Sequence, residues 1–227
     1  MVENYILLRH YIFIDPLDIL KDITNNTTLN YIKKIHKQNY TNGEIIKYYG
    51  YNDIVYLLDN YDKELCKLFL TINHNYPALL ADIGRLIILY NYGGVYHDLK
   101  FMSNKKMIDY LQSVSPKIEL ISEEHPTQKH RVRNGNIVAL KKHSNFIASV
   151  LEKIKTKIQN EKDAFGHTKM FEICSGIYIN EILNNINICI YKYPFQNECM
   201  LKFDHNIYSK RKAWQDTNEY IFKCPTM

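Results

Sequence analysis

The chain contains 227 residues, a length that suits a single domain spanning 1–227 rather than several domains. Hydrophobic residues make up 46% and charged residues 23%, proportions that exclude extensive disorder and a fibrous repeat. The net charge of +5 is spread along the sequence without a dense basic block. This pattern indicates a solvated surface and argues against nucleic acid as a partner.

The most apolar stretch near the start, residues 5–14, is too short to span a bilayer and is interrupted by Arg9 and His10. It also lacks the features of a signal peptide. We therefore expect a cytoplasmic protein with at most peripheral contact at the inner face of a membrane. The five cysteines form no pair with the two-residue gap of a zinc knuckle or redox motif, which indicates reduced thiols.

Strands and helices are predicted to alternate along the first part of the chain. The first fifteen residues favour a buried strand, residues 29–36 a helix and residues 44–49 a second strand. Asn52 or Asp53 is expected to cap the next helix, and helical character continues to residue 69.

The clearest predicted helix spans residues 77–92. Pro77 suits its first turn, and the pair Gly93-Gly94 is a typical stop signal. Residues 95–101 then alternate like a strand, which places Tyr96 and Asp98 on one face and His97, interpreted as structural, on the other.

The remaining elements continue the alternation up to residue 194, beyond which the sequence has no clear period. Strands are predicted at 117–122, 136–140 and 186–191, and helices at 144–158 and 168–183. Strands that alternate with helices indicate an α/β layered domain.

A polar group interrupts the otherwise apolar helix 77–92. Asp82 and Arg85 lie three residues apart and therefore project from one face. The strand after the double glycine delivers Tyr96 and Asp98 at once, so all four side chains can converge on a common point. An internal ion pair is the alternative interpretation of Asp82 and Arg85. An aspartate at a strand end favours ligand binding, because open α/β sheets hold ligands at that edge.

The run from Ala81 to Asp98 resembles the signature of glycosyltransferases with a sugar-binding DXD region. These include a mannosyltransferase family, bacterial capsular polysaccharide glycosyltransferases and, more distantly, the large clostridial glucosylating toxins. The resemblance is close over residues 78–101 and loose over residues 44–77. It implies an α/β, GT-A-like nucleotide-sugar-binding fold, with a mixed, mostly parallel sheet flanked by helices, and a reaction with retention of configuration.

The resemblance also implies roles for the four polar residues. Asp82 and Arg85 would hold hydroxyls of the donor sugar, in line with the acceptor chemistry of a carboxylate and the fixed donor fork of a guanidinium. Tyr96 would lie near the sugar or the diphosphate. Asp98 would lie near the ribose and a Mn²⁺ or Mg²⁺ ion.

One position departs from the family pattern. Lys100 stands where the family has its second aspartate, and a protonated lysine cannot ligate a hard divalent cation. Three interpretations remain open. Lys100 replaces the metal as the charge that neutralises the leaving diphosphate, a metal still binds through Asp98 and a downstream group, or catalysis has been lost.

Further candidates come from the second half of the chain. Asn134 and Asn136 resemble the family's Asn-bearing strand and would bind the donor sugar, with a turn before a strand as the alternative. Ser175-Gly176 matches a small-residue turn before a helix, or only a close-packed helix start. His205 and Trp214 resemble a C-terminal lid, with His205 near the metal and Trp214 near the diphosphate, although core packing is the default for a lone tryptophan.

The sequence thus predicts a glycosyltransferase that moves a sugar from a UDP- or GDP-sugar to a glycan or lipid-linked acceptor, as in capsule polysaccharide biosynthesis. Residues 1–101 would form the nucleotide-sugar-binding part and residues 102–227 the acceptor-side part. Two alternatives are a non-catalytic nucleotide-sugar or glycan-binding protein of the same fold, and a nucleic-acid-associated α/β protein.

Overall fold

The computed structural model describes residues 8–14, 22–39, 44–99, 117–124, 132–164, 166–185, 188–191 and 221–222. The strands are β1 (Leu8–Ile12), β2 (Ile45–Tyr49), β3 (Gly94–His97), β4 (Leu120–Glu124), β5 (Val132–Ala139) and β6 (Ile188–Tyr191). The helices are α1 (Thr27–Asn39), α2 (Tyr51–Tyr61), α3 (Lys63–Thr71), α4 (Pro77–Tyr92), α5 (Asn145–Asn160), α6 (Gly166–Ile173) and α7 (Ser175–Leu183). A short 3₁₀ turn, Ile23–Asn25, precedes α1.

The described strands form one mixed sheet in the order β2-β1-β3-β5-β4-β6. β1 runs parallel to β2 and β3, and β4 runs parallel to β6. Only β5 is antiparallel to both of its neighbours among these strands. The prediction of a mixed, mostly parallel sheet is confirmed, and the carboxyl ends of β1, β3 and β4 share one edge.

Helices cover both faces of the sheet. α4 packs against β1, β3 and β5, and α7 packs against β5. α1 lies on the opposite face, where His36 contacts the ring of Tyr11 at a centroid distance of 4.3 Å and stacks on Tyr48. The alternation of β1 explains the division, since His10 is directed to the carbonyl of Gly93 at the end of α4 and Tyr11 to α1.

Helix α4 is the central helix of the molecule. Its residues from Leu79 to Leu89 are buried, apart from the partly buried Ala81, as expected for a helix that is apolar on nearly all sides. It begins at Pro77 and ends at Tyr92, with Gly93 as its C-cap, as the sequence predicts. Gly93 and Gly94 have φ values of +62° and +85°, a region that side chains other than glycine rarely occupy.

Three local predictions need correction. The N-cap of α2 is Gly50, not Asn52 or Asp53; the Asp53 carboxylate instead accepts from the Gly50 amide at 2.7 Å. The predicted helix 168–183 is divided into α6 and α7 at Cys174, whose φ of −125° and ψ of −65° interrupt the helix. The strand expected to reach residue 101 ends at His97.

In the part of the chain that the structure describes, no helix is both long enough and apolar enough to cross a bilayer.

Candidate functional site

Asp82 and Arg85 face each other one turn apart on α4. Arg85 Nη2 lies 2.6 Å from Asp82 Oδ1, and both residues are at most 6% exposed. Arg85 Nε also donates to the carbonyl oxygen of Ala81 at 3.3 Å. The guanidinium is therefore held by its own helix before any other element contributes, which fixes the direction of its remaining donors.

The end of β3 brings two more polar side chains to this pair. The Tyr96 hydroxyl donates to Asp98 Oδ1 at 3.0 Å, and Arg85 Nη2 lies 3.6 Å from the same oxygen. The Arg85 guanidinium also lies over the Tyr96 ring, 4.8 Å from its centroid. The Asp98 side chain is 35% exposed and is the most accessible carboxylate of the group. Asp82, Arg85, Tyr96 and Asp98 thus converge, as the sequence predicts.

A bulge in β5 contributes a third element to the cluster, after α4 and β3. Ser122 pairs with Ile137 but Glu123 pairs with Arg133, so residues 134–136 are extra in the β5 ladder. The carbonyl oxygen of Asn134 accepts from Arg85 Nη1, and the carbonyl oxygen of Gly135 accepts from the Asp98 amide at 2.8 Å. The bulge therefore holds both α4 and the end of β3.

The side chain of Asn134 completes the contacts of Asp82 together with Ser175. Asn134 Nδ2 donates to Asp82 Oδ1 at 3.1 Å and to Ser175 Oγ at 2.8 Å. Ser175 Oγ in turn donates to Asp82 Oδ2 at 2.5 Å. We name Asp82, Arg85, Tyr96, Asp98, Asn134 and Ser175 the polar cluster. Ser175 was noted in the sequence only as a small residue at a helix start, and its contact with Asp82 spans 93 residues, which no local pattern reveals.

Asn136 lies apart from this cluster although it is only two residues from Asn134. Asn136 pairs with His97 of β3 and, like it, is directed to the α1 face, where its Oδ1 lies 2.8 Å from His97 Nδ1 and its Nδ2 donates to Glu123 Oε2 at 2.8 Å. His97 is buried on this face, opposite Tyr96, as expected. The expected contact of Asn136 with a donor sugar stays a prediction, and its amide is already held by two protein partners.

Burial determines the ionisation of the cluster. Burial raises the pKa of Asp82, and nearby Asp98 adds to the rise, while Arg85 and the hydrogen bond from Ser175 lower it. Burial also raises the pKa of Tyr96 well above its usual range, so its hydroxyl stays a neutral donor. Buried Cys174, next to Ser175, has its thiol pKa raised by burial and is therefore no nucleophile at neutral pH.

The remaining predicted residues, Lys100, His205 and Trp214, lie outside the described residues. Within the described part of the chain, no group of three or more His, Cys, Asp or Glu side chains could hold a metal ion. Asp98 is the accessible carboxylate of the cluster, and one of its oxygens already contacts Tyr96 and Arg85. A hard cation needs several oxygen ligands, so the described donors alone do not fit one.

Residues 25–126 match the model of a family described as "Glycosyltransferase sugar-binding region containing DXD motif". The match includes Asp82, Arg85, Tyr96 and Asp98 and ends before Asn134 and Ser175. The match supports the resemblance to the DXD-type glycosyltransferases over this part of the chain. Together with the observed sheet, it also agrees with the expected GT-A-like α/β fold class.

Solved structures with some similarity to the chain carry titles of the same kind. "PaToxG Glycosyltransferase" is 16% identical over 79% of this chain and 69% of its own, with a TM-score of 0.49. The "UDP-bound glycosyltransferase domain from the YGT toxin" is 11% identical over 69% of this chain and 45% of its own, with a TM-score of 0.35. Its ligand-free counterpart is 11% identical, covers 60% and 41%, and has the same TM-score of 0.35. No curated protein matches the chain.

Proposed function

We propose that this chain transfers a sugar from a UDP- or GDP-sugar to a glycan or lipid-linked acceptor, with retention of configuration. The observation that carries the proposal is the convergence of Asp82, Arg85, Tyr96 and Asp98 inside the region that matches the sugar-binding family. The site lies at the carboxyl ends of β3 and β4, which is where open α/β sheets hold ligands.

Hydrogen-bond capacity supports a hydroxyl-bearing ligand at Asp82. An ionised carboxylate accepts about four hydrogen bonds. Among the described residues, Oδ1 of Asp82 receives Arg85 and Asn134, and Oδ2 receives Ser175. One position on Oδ2 is therefore left for a donor, and a sugar hydroxyl is such a donor.

Asp98 is assigned to the more accessible part of the donor. Its side chain is 35% exposed, whereas Asp82 and Arg85 are almost fully buried. We assign it to the ribose and diphosphate region, with the neutral Tyr96 hydroxyl orienting its Oδ1. Residues 1–101 form the nucleotide-sugar-binding part in this proposal, and residues 102–227 the acceptor-side part, with Trp214 at the diphosphate.

Lys100 is assigned to the leaving group. A positive charge near the departing diphosphate stabilises it, whether a metal or a side chain supplies that charge. The alternative is a Mn²⁺ or Mg²⁺ ion held by Asp98 and His205. A second candidate function, favoured by the lysine at the second acidic position, is nucleotide-sugar or glycan binding without turnover. Growing surface polysaccharides are the acceptor class that the family suggests, with any membrane contact peripheral.

A melting screen against UDP, GDP and their sugars, each with and without Mn²⁺, tests the proposal. A nucleotide sugar that binds only the folded chain at a hundred times its Kd adds about 2.7 kcal/mol to the free energy of unfolding. We expect this shift in the unmodified chain and not in Asp98→Asn. Asp59→Asn, on the exposed side of α2, is the matched control and should keep the shift.

Release of free UDP or GDP from the ligand found in the screen then separates the candidates. Turnover supports the transferase, and a melting shift without turnover supports the binding protein. No shift with any nucleotide sugar rejects both. Activity that disappears in EDTA and returns with Mn²⁺ would contradict the assignment of Lys100 in place of a metal.

A further inference from the structure

Ser175 contacts both Asp82 on α4 and Asn134 on β5. It is the first residue of α7, is 5% exposed, and lies between Asp82 Oδ2 at 2.5 Å and Asn134 Nδ2 at 2.8 Å. The residue lies beyond the family match, which ends at residue 126. A residue from the part of the chain that we assign to the acceptor side therefore belongs to the polar cluster.

The three side chains Asp82, Asn134 and Ser175 form a closed ring of hydrogen bonds. Asn134 donates to Asp82 Oδ1 and to Ser175 Oγ, and Ser175 donates to Asp82 Oδ2. Each carboxylate oxygen is held by a different partner, so rotation about the terminal torsion of Asp82 would break at least one contact. That torsion is soft in a free aspartate, and the ring therefore supplies the missing restraint.

We propose that Ser175 is a positioning residue for the donor sugar: it fixes the plane of the Asp82 carboxylate so that the remaining acceptor position on Oδ2 points at a sugar hydroxyl. The inference rests on the proposed function and deepens it at one site. Ser175 itself does not touch the sugar in this arrangement. It acts through Asp82, while Arg85 fixes the other oxygen.

The charge of Asp82 gives the hydroxyl of Ser175 a second effect in the same direction. Burial raises the pKa of Asp82, and the hydrogen bond from Ser175 opposes that rise. Ser175 therefore favours the ionised carboxylate, which is the form that accepts from a hydroxyl and pairs with Arg85.

The test compares the affinity for a nucleotide sugar with the affinity for the same nucleotide without the sugar. In Ser175→Ala we expect the nucleotide sugar to bind about tenfold more weakly, because a misoriented Asp82 carboxylate loses about the worth of its one hydrogen bond to the sugar, and the free nucleotide to bind unchanged. Ser175→Thr keeps the hydroxyl and should restore most of the affinity. If Ser175→Ala fails to fold, Ser175→Cys keeps the shape of the side chain with a somewhat larger atom and a weaker donor, and should give the same selective loss.

Ser122→Ala is the matched control, because Ser122 is also buried and its hydroxyl accepts a hydrogen bond from Tyr178 at 3.3 Å. It should reduce the melting temperature while leaving both affinities unchanged. Equal weakening of nucleotide and nucleotide sugar in Ser175→Ala, or no weakening, would overturn the role of Ser175 while leaving the proposed function standing. An unmodified chain that binds no nucleotide sugar would reject the proposed function and the inference together.

Discussion

Two buried arginine–carboxylate pairs lie on opposite faces of the sheet. Arg85 pairs with Asp82 at 2.6 Å on the α4 face, and Arg9 pairs with Glu44 at 2.6 Å on the α1 face. Burial of such pairs costs a large desolvation free energy, so they are weak contributors to stability but are strongly destabilising when one partner is lost. The pair on α4 additionally borders an accessible carboxylate, Asp98, which connects it to solvent. Of these two pairs, we therefore expect the one on α4 to meet a ligand.

Replacement of each arginine by lysine separates binding from stability. Arg85 uses three nitrogens for contacts with α4, β3 and β5, and a lysine has one nitrogen to replace them. We expect Arg85→Lys and Arg9→Lys each to lower the free energy of unfolding by about 1–3 kcal/mol in urea titrations. Only Arg85→Lys should abolish stabilisation by the nucleotide sugar. Loss of that stabilisation in Arg9→Lys as well would mean that the two faces are coupled.

The contacts of His97 define its tautomer. Arg9 Nη1 can only donate, and it lies 3.4 Å from His97 Nε2, which must accept. Nδ1 then carries the proton and donates to Asn136 Oδ1. The Nδ2 of Asn136 in turn donates to Glu123 Oε2. Burial, with Arg9 adding to its effect, lowers the pKa of His97 to about 3. The chain of hydrogen bonds therefore holds a neutral histidine.

At the scale of elements, the corner between α4 and β3 places the two halves of the cluster opposite each other. Gly93 ends α4, and its carbonyl accepts from His10 Nε2 at 2.8 Å. Gly94 then passes so close to β1 that a Cβ at this position would lie 2.6 Å from the carbonyl oxygen of Leu8. The chain can reverse here within two residues only because neither has a side chain.

Gly94→Ala is expected to destabilise the fold. The φ of +85° would strain the backbone of an alanine, and the new Cβ would collide with the Leu8 backbone. We therefore expect a loss of about 2–3 kcal/mol in the free energy of unfolding. Gly176→Ala is the control, because a Cβ there would find its nearest neighbour at 3.4 Å, an ordinary contact distance. It should change stability by less than about 1 kcal/mol. Equal losses in urea titrations of the two variants would contradict this account of the corner.

The sequence predicts those parts of the site whose signals are local. Pro77, the double glycine and the spacing of Asp82 and Arg85 all act within one helix and its stop, and the structure places them as expected. Ser175 escaped prediction because its contact with Asp82 depends on how distant elements pack. The separation of Asn134 from Asn136 depends on a bulge, which a period-2 pattern cannot reveal.

At the scale of the whole molecule, three buried histidines among the described residues are held neutral within the sheet layers. Burial lowers the pKa of His10 and of His36 to about 4, and that of His97 to about 3. His10 holds the α4 corner, His36 holds α1 through the Tyr48 hydroxyl at 2.7 Å, and His97 holds the end of β3. Protonation of these histidines would therefore disturb packing on both faces of the sheet.

This arrangement predicts a steep loss of stability in mild acid. In the unfolded chain the histidines titrate near 6.5, above their folded values, so unfolding takes up protons as the pH falls from about 6.5 towards 4. Each proton adds about 1.4 kcal/mol per pH unit to the slope, and the raised pKa of Asp82 opposes it by at most one proton. Urea titrations across this range should give a slope approaching two to three protons, about 3–4 kcal/mol per pH unit. In His36→Phe, which keeps a ring against Tyr11, the slope of the free energy of unfolding against pH should fall by up to one proton. A free energy of unfolding that does not change with pH in the unmodified chain would mean that these histidines are not neutral in the fold.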